Sequence, residues 1–315
     1  MLYSIVIPVY NSEKTLEELY NRLRAEFENN IREDFEIIFV NDASIDNSLA
    51  VIKKLCKSDE RVGYIDFAKN HGQQKAVICG IDHSKGDFII TMDDDLQHPP
   101  EEIPKLIAKM ESDDNIDVVI GMYDSKKHNG FRRLGTRLLD ALSNMVFKKN
   151  KDLKLTSFRL MRSFVADNLA LVDLKRPTVG HCLLLVDGNI VNAPVRHDAR
   201  KIGKSGYGTI KLIRQFMENV YINTDFPLRV VGRIGTISLV SGLLLSVFYF
   251  IRYITGNIHV SGWTTLVIIV LVMNGLSLFS IGVIGRYLMT NINETKRLPK
   301  YSIRDKNVEK KRGVN

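Results

Sequence analysis

"DFIITMDDDLQHPPEEIP", residues 87–104, changes character in its middle. Phe88-Ile89-Ile90 is the apolar run of a buried strand, and Asp93, Asp94 and Asp95 follow side by side. Adjacent like charges repel, so such a cluster costs stability unless something positive sits among them. Pro99 and Pro100 end extended structure and suit the start of a helix over "EEIPKLIAKM", 101–110. The stretch therefore reads as the carboxyl end of a strand, a charged loop and a helix. In open α/β sheets that edge is where ligands bind.

The same alternation runs outward from it. Strand patterns at 3–9, 35–40, 62–67 and 116–121 alternate with helical apolar spacing at 14–28, 47–57 and 72–83. That order predicts an α/β fold with a doubly wound, mostly parallel sheet. After Gly121 come a polar loop, 122–133, and an amphipathic run, 134–147. A strand-like "NIVNAPVRH" (189–197) then precedes the basic, glycine-rich "DARKIGKSGYGT" (198–209). In "IKLIRQFMENVYI" (210–222), Ile213, Phe216, Met217, Val220 and Tyr221 share one face, which suits a helix lying in a membrane interface. There is no internal repeat.

Two apolar runs, 234–251 and 264–284, are close to the roughly 20 residues that cross a bilayer core. The loop between them, "TGNIHVSG" (255–262), has no Lys or Arg, whereas Arg229, Arg233, Arg286, Lys296 and Arg297 flank the other ends. By the positive-inside rule both termini, and with them the α/β part, are cytoplasmic and the loop is outside. Tyr253 and Trp263 sit where an interfacial aromatic belt would lie. The expected organisation is an α/β domain over 1–209, a juxtamembrane amphipathic helix over 210–228, a two-helix transmembrane hairpin over 229–290 and a basic cytoplasmic tail over 291–315. The formal charge of +8 is concentrated in that tail; beside an apolar block it points to a membrane surface and not to nucleic acid. The three cysteines, without close spacing, fit a reducing compartment, and no secretory leader is expected at the amino terminus. Ser238, Gly242 and Ser246 recur every four residues along the first apolar run, a stripe that lets helices approach closely in lipid; it is expected to pack on the second apolar run or on a neighbouring subunit of a homo-oligomer.

Three strand ends carry polar groups to one edge: Pro8-Val9-Tyr10-Asn11, Asn41-Asp42-Ala43-Ser44 and Asp93-Asp94-Asp95. No G-x-G-x-x-G follows the first strand and no G-x-x-x-x-G-K-[ST] occurs, so a dinucleotide fold and a P-loop are both disfavoured. A diphosphate can instead be held by Mg²⁺ or Mn²⁺ bridging its oxygens to carboxylates. The same cation would relieve the repulsion within 93–95 and stabilise a departing diphosphate.

"IVIPVYNSEKTL" (5–16), "EIIFVNDASIDNS" (36–48) and the 87–104 stretch together resemble glycosyltransferase family 2, with its GT-A type fold. "DDDLQHPP", "SFRLM" (157–161), "RKIGKSGYG" (200–208) and "FPLR" (226–229) resemble its polyprenyl-phosphate branch, the bactoprenol glucosyltransferases and dolichol-phosphate mannose synthases. The resemblance implies a metal-dependent, inverting transfer from a nucleotide-diphosphate sugar to undecaprenyl or another polyprenyl phosphate. It would take place at the face of a bacterial-type cytoplasmic membrane, for cell-surface glycan assembly. It implies that Pro8, Tyr10 and Asp42 border the base and ribose, with Asp94 at the ribose or facing solvent. Asp93 and Asp95 match the catalytic metal and diphosphate pair, with Gln97 as a further ligand. Arg132, Arg133, Arg200, Lys204 and Ser205 would hold phosphates, Arg200 as a catalytic group. The chain departs from the branch at Ser157, where an acidic candidate base often stands before F-R-L. A phosphomonoester with a second pKa of about 6 needs no such base. A lipid-linked saccharide or other hydroxyl acceptor does need one, and a non-catalytic membrane scaffold is the remaining alternative. The single tryptophan, Trp263, cannot supply the Q-x-x-R-W signature of processive synthases. Two spans are few for moving the product across, so a separate flippase is expected.

Overall fold

The computed structural model describes residues 1–123, 153–172, 178–186, 188–198, 226–255, 262–295 and 299–309. The chain divides into two compact units, one of 1–134, 150–204 and 298–315, the other of 135–149 and 205–297.

The first unit is built on β1 (Leu2–Val9), whose residues Tyr3, Ile5, Ile7 and Val9 enter one core cluster while Val6 enters another. A strand buried on both faces suits a run of Ile and Val without polar alternation. Parallel neighbours β2 (Asp34–Asn41) and β4 (Phe88–Thr91) flank it, and β3 (Val62–Phe67) lies beyond β2. On one face Leu16, Leu19 and Leu23 of α1 (Leu16–Glu26) pack with Ile52 and Leu55 of α2 (Ser48–Ser58) and Leu106 of α4 (Ile103–Glu111). The i, i+3, i+7 spacing in α1 is the one read from sequence. On the other face α3 (Gln73–His83) lies against β1 and β2.

Gly80 makes that packing close. A Cβ there would stand 2.3 Å from Val6 Cγ1 and 3.1 Å from Val40 Cγ2, both on buried, β-branched side chains with little room to turn. Gly80→Ala is expected to destabilise the unit by about 1–2 kcal/mol, overpacking outweighing alanine's helical advantage of about 1 kcal/mol. A denaturant midpoint equal to or above wild type would show that Val6 yields freely.

The complete sheet has eight strands in the order β7-β5-β6-β4-β1-β2-β3-β8, with β5 at Val118–Met122, β6 at Arg159–Arg162, β7 at Ile190–Pro194 and β8 at Ile303–Lys306. It is mixed: β6 runs antiparallel to β4 and β5, and β8 antiparallel to β3. Neither was expected as a strand. Each has four residues and carries charge, "RLMR" and "IRDK", so neither shows the apolar run that marks β1. The tail, read from sequence without structure, thus supplies an edge of the sheet.

In the second unit, both apolar runs are helical, within Phe226–Ile254 (29 residues) and Trp263–Thr295 (33 residues), and these helices lie beside each other. Among the described residues, however, no helix is long and apolar enough to cross a membrane. The expected hairpin is thus observed as two long helices side by side. The amphipathic runs 134–147 and 210–222 and the Ser238-Gly242-Ser246 stripe's side chains lie outside what is described.

Candidate functional site

Because β1, β2 and β4 are parallel, their carboxyl ends share one edge of the sheet, and three loops meet there. Three non-glycine residues at those ends have left-handed backbones: Asn11 (φ 54°), Ala43 (φ 56°) and Leu96 (φ 60°). Such conformations cost about 1–3 kcal/mol each and tend to collect where function requires a tight turn.

The three adjacent aspartates do three different things. Asp93 accepts from Gln73 Nε2 (2.6 Å) at Oδ1 and from the Ser157 hydroxyl (2.7 Å) at Oδ2. Asp94 turns back towards β1, where Oδ2 accepts the Tyr10 N–H (3.2 Å) and its carbonyl accepts the Thr15 hydroxyl (2.7 Å). Burial pushes the Asp94 carboxyl up to about 6, against hydrogen bonds from Ser12 and Tyr10 and helped by Asp93 and Asp95. Its bonds are those of a loop staple that ties the 93–95 run to the chain leaving β1. Asp95 Oδ1 accepts the Gln97 N–H (3.1 Å), an Asx turn around Leu96.

Behind Asp93 lies a buried aromatic group that sequence reasoning missed. His98 Nδ1 accepts the Asp93 N–H (3.2 Å), and its Nε2 meets the Tyr123 hydroxyl (2.5 Å). Its ring lies nearly parallel to those of Tyr123 and Phe158, with centroids 5.7 and 5.4 Å away. Burial holds the imidazole below its ordinary pKa, so the 4.0 Å approach to the Asp93 carboxylate is not an ion pair. With Nδ1 accepting, the neutral tautomer carries its proton on Nε2.

At the β2 end, buried Asp42 accepts the His71 N–H (2.6 Å) at Oδ1 and the Gly72 N–H (2.8 Å) at Oδ2. Burial raises its pKa while those two amides pull it down. Gly72 has φ 91°, which lets the chain turn from this clasp into α3 and deliver Gln73 to Asp93. Tyr10 is 50% exposed at the edge, whereas Pro8 is buried in β1 opposite Val40 and shapes the strand end. Arg159, within the "SFRLM" stretch but given no role from sequence, is 5% exposed, and its Nε has no hydrogen-bond partner among the described residues. Burial pushes its pKa down to about 10, opposed chiefly by Asp93. Arg132, Arg133, Arg200, Lys204 and Ser205 lie outside the described residues.

Among the described residues no three His, Cys, Asp or Glu side chains gather as a metal cluster. Asp93, Asp95 and the Gln97 side chain nevertheless offer only oxygen donors suited to a hard divalent cation. Such an incomplete set fits Mg²⁺ or Mn²⁺ that takes its remaining ligands from phosphate and water.

Comparison with known proteins agrees with this architecture. The chain is 30% identical to the prophage bactoprenol glucosyl transferase homolog of Escherichia coli K12, over 96% of this chain and 99% of that protein. It is 29% identical to the undecaprenyl-phosphate 4-deoxy-4-formamido-L-arabinose transferase of Edwardsiella ictaluri, over 96% and 93% of the two. Among solved structures, glucosyl-3-phosphoglycerate synthase from Mycobacterium tuberculosis in complex with Mn²⁺ and UDP-glucose shares the fold. Its TM-score is 0.50 at 15% identity, over 70% of this chain and 76% of that one. The sequence model of the family described as Glycosyl transferase family 2 matches residues 4–169, which include all three strand-end loops, and the chain belongs to that family.

Proposed function

We propose that the protein moves a sugar from a nucleotide-diphosphate donor to undecaprenyl phosphate, or a similar polyprenyl phosphate, with inversion at the anomeric carbon. The observation that carries this reading is the hydrogen bond from Ser157 to Asp93. At the position where a base would stand, the hydroxyl proton is already committed to a carboxylate, and His98 Nδ1 is occupied by the Asp93 N–H. A hydroxyl acceptor would need a group to take its proton. A phosphate dianion needs none, and the transferase names of the relatives above, bactoprenol and undecaprenyl phosphate, support that acceptor.

In this mechanism the exposed Tyr10 ring and the outer lone pairs of Asp42 meet the base and ribose. Gln73 and Ser157 hold Asp93 in place beside Asp95 and Gln97. A divalent cation bound there would supply positive charge to the diphosphate. An acceptor phosphate oxygen forms the new bond to the anomeric carbon while the carbon–oxygen bond to the diphosphate breaks. The electron pair leaves with the diphosphate. Positioning and leaving-group stabilisation then provide the rate enhancement.

The lipid acceptor also requires a membrane site. Exposed apolar residues such as Leu244, Phe248, Ile251, Leu266, Phe279 and Leu288 on the two long helices support a hairpin in the bilayer. Both termini would be cytoplasmic, and a separate flippase would carry the product outward. Arg200, Lys204 and Ser205 would receive the lipid phosphate.

Purified protein, Mn²⁺ and undecaprenyl phosphate, incubated with UDP-, GDP- and dTDP-sugars, should yield a glycosylated lipid phosphate by mass spectrometry. Equal transfer to undecaprenol would sink the phosphate reading. Arg200→Ala is expected to lower lipid glycosylation roughly tenfold to a hundredfold, the worth of one charge-assisted phosphate contact, with much less change in nucleotide affinity. If both fall together by calorimetry, Arg200 serves the donor diphosphate.

A further inference from the structure

The tail strand reaches into the nucleotide edge of the sheet. β8 pairs with β3 through Ile65–Lys306, Asp66–Asp305 and Phe67–Ile303, with a register shift between Asp66 and Phe67. Beyond that shift the tail follows the loop that leaves β3. Ala68 N–H donates to the Ser302 carbonyl (2.8 Å), and Arg304 Nη2 donates to the Ala68 carbonyl (2.9 Å). The Ser302 N–H donates to His71 Nε2 (3.1 Å). Tyr301 stacks on Phe67 with centroids 5.4 Å apart, and Phe67 meets the His71 ring edge-on at 5.3 Å. The Tyr301 hydroxyl donates to Asp82 on α3 (3.0 Å).

The loop so held is the one whose His71 and Gly72 amides clasp Asp42. Five residues, 68–72, are thus fixed from one side by Asp42 and from the other by the tail. We propose that segment 300–308 is a positioning element of the donor site. By holding His71, it keeps Asp42 and the following Gln73 in the arrangement that receives the nucleotide. This rests on the reading of Asp42 as a neighbour of the base and ribose. Covering the edge of β3 is a second consequence of the same strand, since an exposed edge invites pairing with other chains. Edge cover alone would change stability and leave the loop and the donor affinity as they are.

Ser302 separates the two roles, because its N–H bonds the His71 ring while the ladder pairs begin at Ile303. Ser302→Pro removes that N–H; Ser302→Ala keeps it; His71→Ala removes the acceptor and leaves the backbone amide for Asp42. In the full-length protein, Ser302→Pro and His71→Ala should each weaken UDP or GDP binding in calorimetry roughly fivefold to tenfold, the worth of one hydrogen bond. Ser302→Ala should bind as wild type does. Hydrogen exchange without nucleotide should be faster at the His71 and Gly72 amides in Ser302→Pro than in Ser302→Ala. Wild-type-like exchange in Ser302→Pro would overturn the proposal, and so would faster exchange with unchanged nucleotide affinity. A wild-type protein that binds none of UDP, GDP or dTDP overturns the donor reading itself, and the positioning role falls with it.

Discussion

Asp95→Asn should cut sugar transfer roughly a hundredfold to a thousandfold, in the range for losing one preorganised electrostatic contact in a transition state. The substitution spares the turn that Asp95 closes. Its Oδ1 accepts the Gln97 N–H, and an asparagine amide oxygen can accept the same bond, so the turn at Leu96 keeps its closure. The negative charge and one oxygen ligand are lost. The same change at Asp93 would be harder to interpret. Both Asp93 oxygens accept from donors, Gln73 and Ser157, and an asparagine NH₂ group would face one of them. Asp95→Asn should therefore unfold at the wild-type denaturant concentration. It should bind Mn²⁺ more weakly and transfer sugar slowly even at saturating donor. Wild-type turnover in this variant, or turnover in the parent that survives a chelator, would remove the metal role assigned to the pair.

The alternation of β1, α1, β2, α2, β3, α3 and β4 was legible because buried parallel strands need continuous apolar runs and their helices need a 3.6-residue stripe. β6 and β8 were not. Four-residue strands that begin or end in charge pair through backbone groups, and backbone pairing leaves little trace in side-chain pattern. At the site, the Asp93-Asp94-Asp95 run marks the edge of the sheet, but the division of labour among the three does not follow from their spacing. It depends on Leu96 adopting φ 60° and on partners far away in sequence, with Tyr10 lying 84 residues before Asp94 and Ser157 lying 64 after Asp93. Asp42 was recognisable as a strand-end carboxylate. Its clasp on the His71 and Gly72 amides was hidden, because backbone donors have no signature in composition. Ser157 stood out as a departure from an acidic pattern, and only its bond to Asp93 shows where its proton goes.

Arg159→Met should separate stability from activity. The arginine lies on β6 opposite Thr91, two residues before Asp93, and the sheet buries it almost completely. Its Nε finds no partner among the described residues, so the protein carries the desolvation cost of a guanidinium without full hydrogen bonding. With its pKa pushed down to about 10, the group remains charged at neutral pH, held there chiefly by Asp93. Removing one member of a tight buried ion pair would destabilise the fold. Among the described residues, however, Arg159 forms no salt bridge with Asp93 and leaves Nε unpartnered, so its loss relieves a desolvation cost without breaking a pair. Asp93 would keep its bonds from Gln73 and Ser157. A denaturant midpoint at or above wild type is expected. Transfer should nonetheless fall roughly a hundredfold if the donor diphosphate sits at this edge as proposed, because a fixed cation beneath it, shielded from water, acts on charge as it develops. Arg159→Lys should recover part of the rate, since it restores the charge without the planar fork. Full activity in a stabilised Arg159→Met protein would show that this guanidinium contributes nothing to transfer. A lowered midpoint with unchanged turnover per folded molecule would assign it to packing against the helix at Val179–Cys182, where Arg159 Nη2 already lies within 3.6 Å of the position a Gly180 Cβ would take.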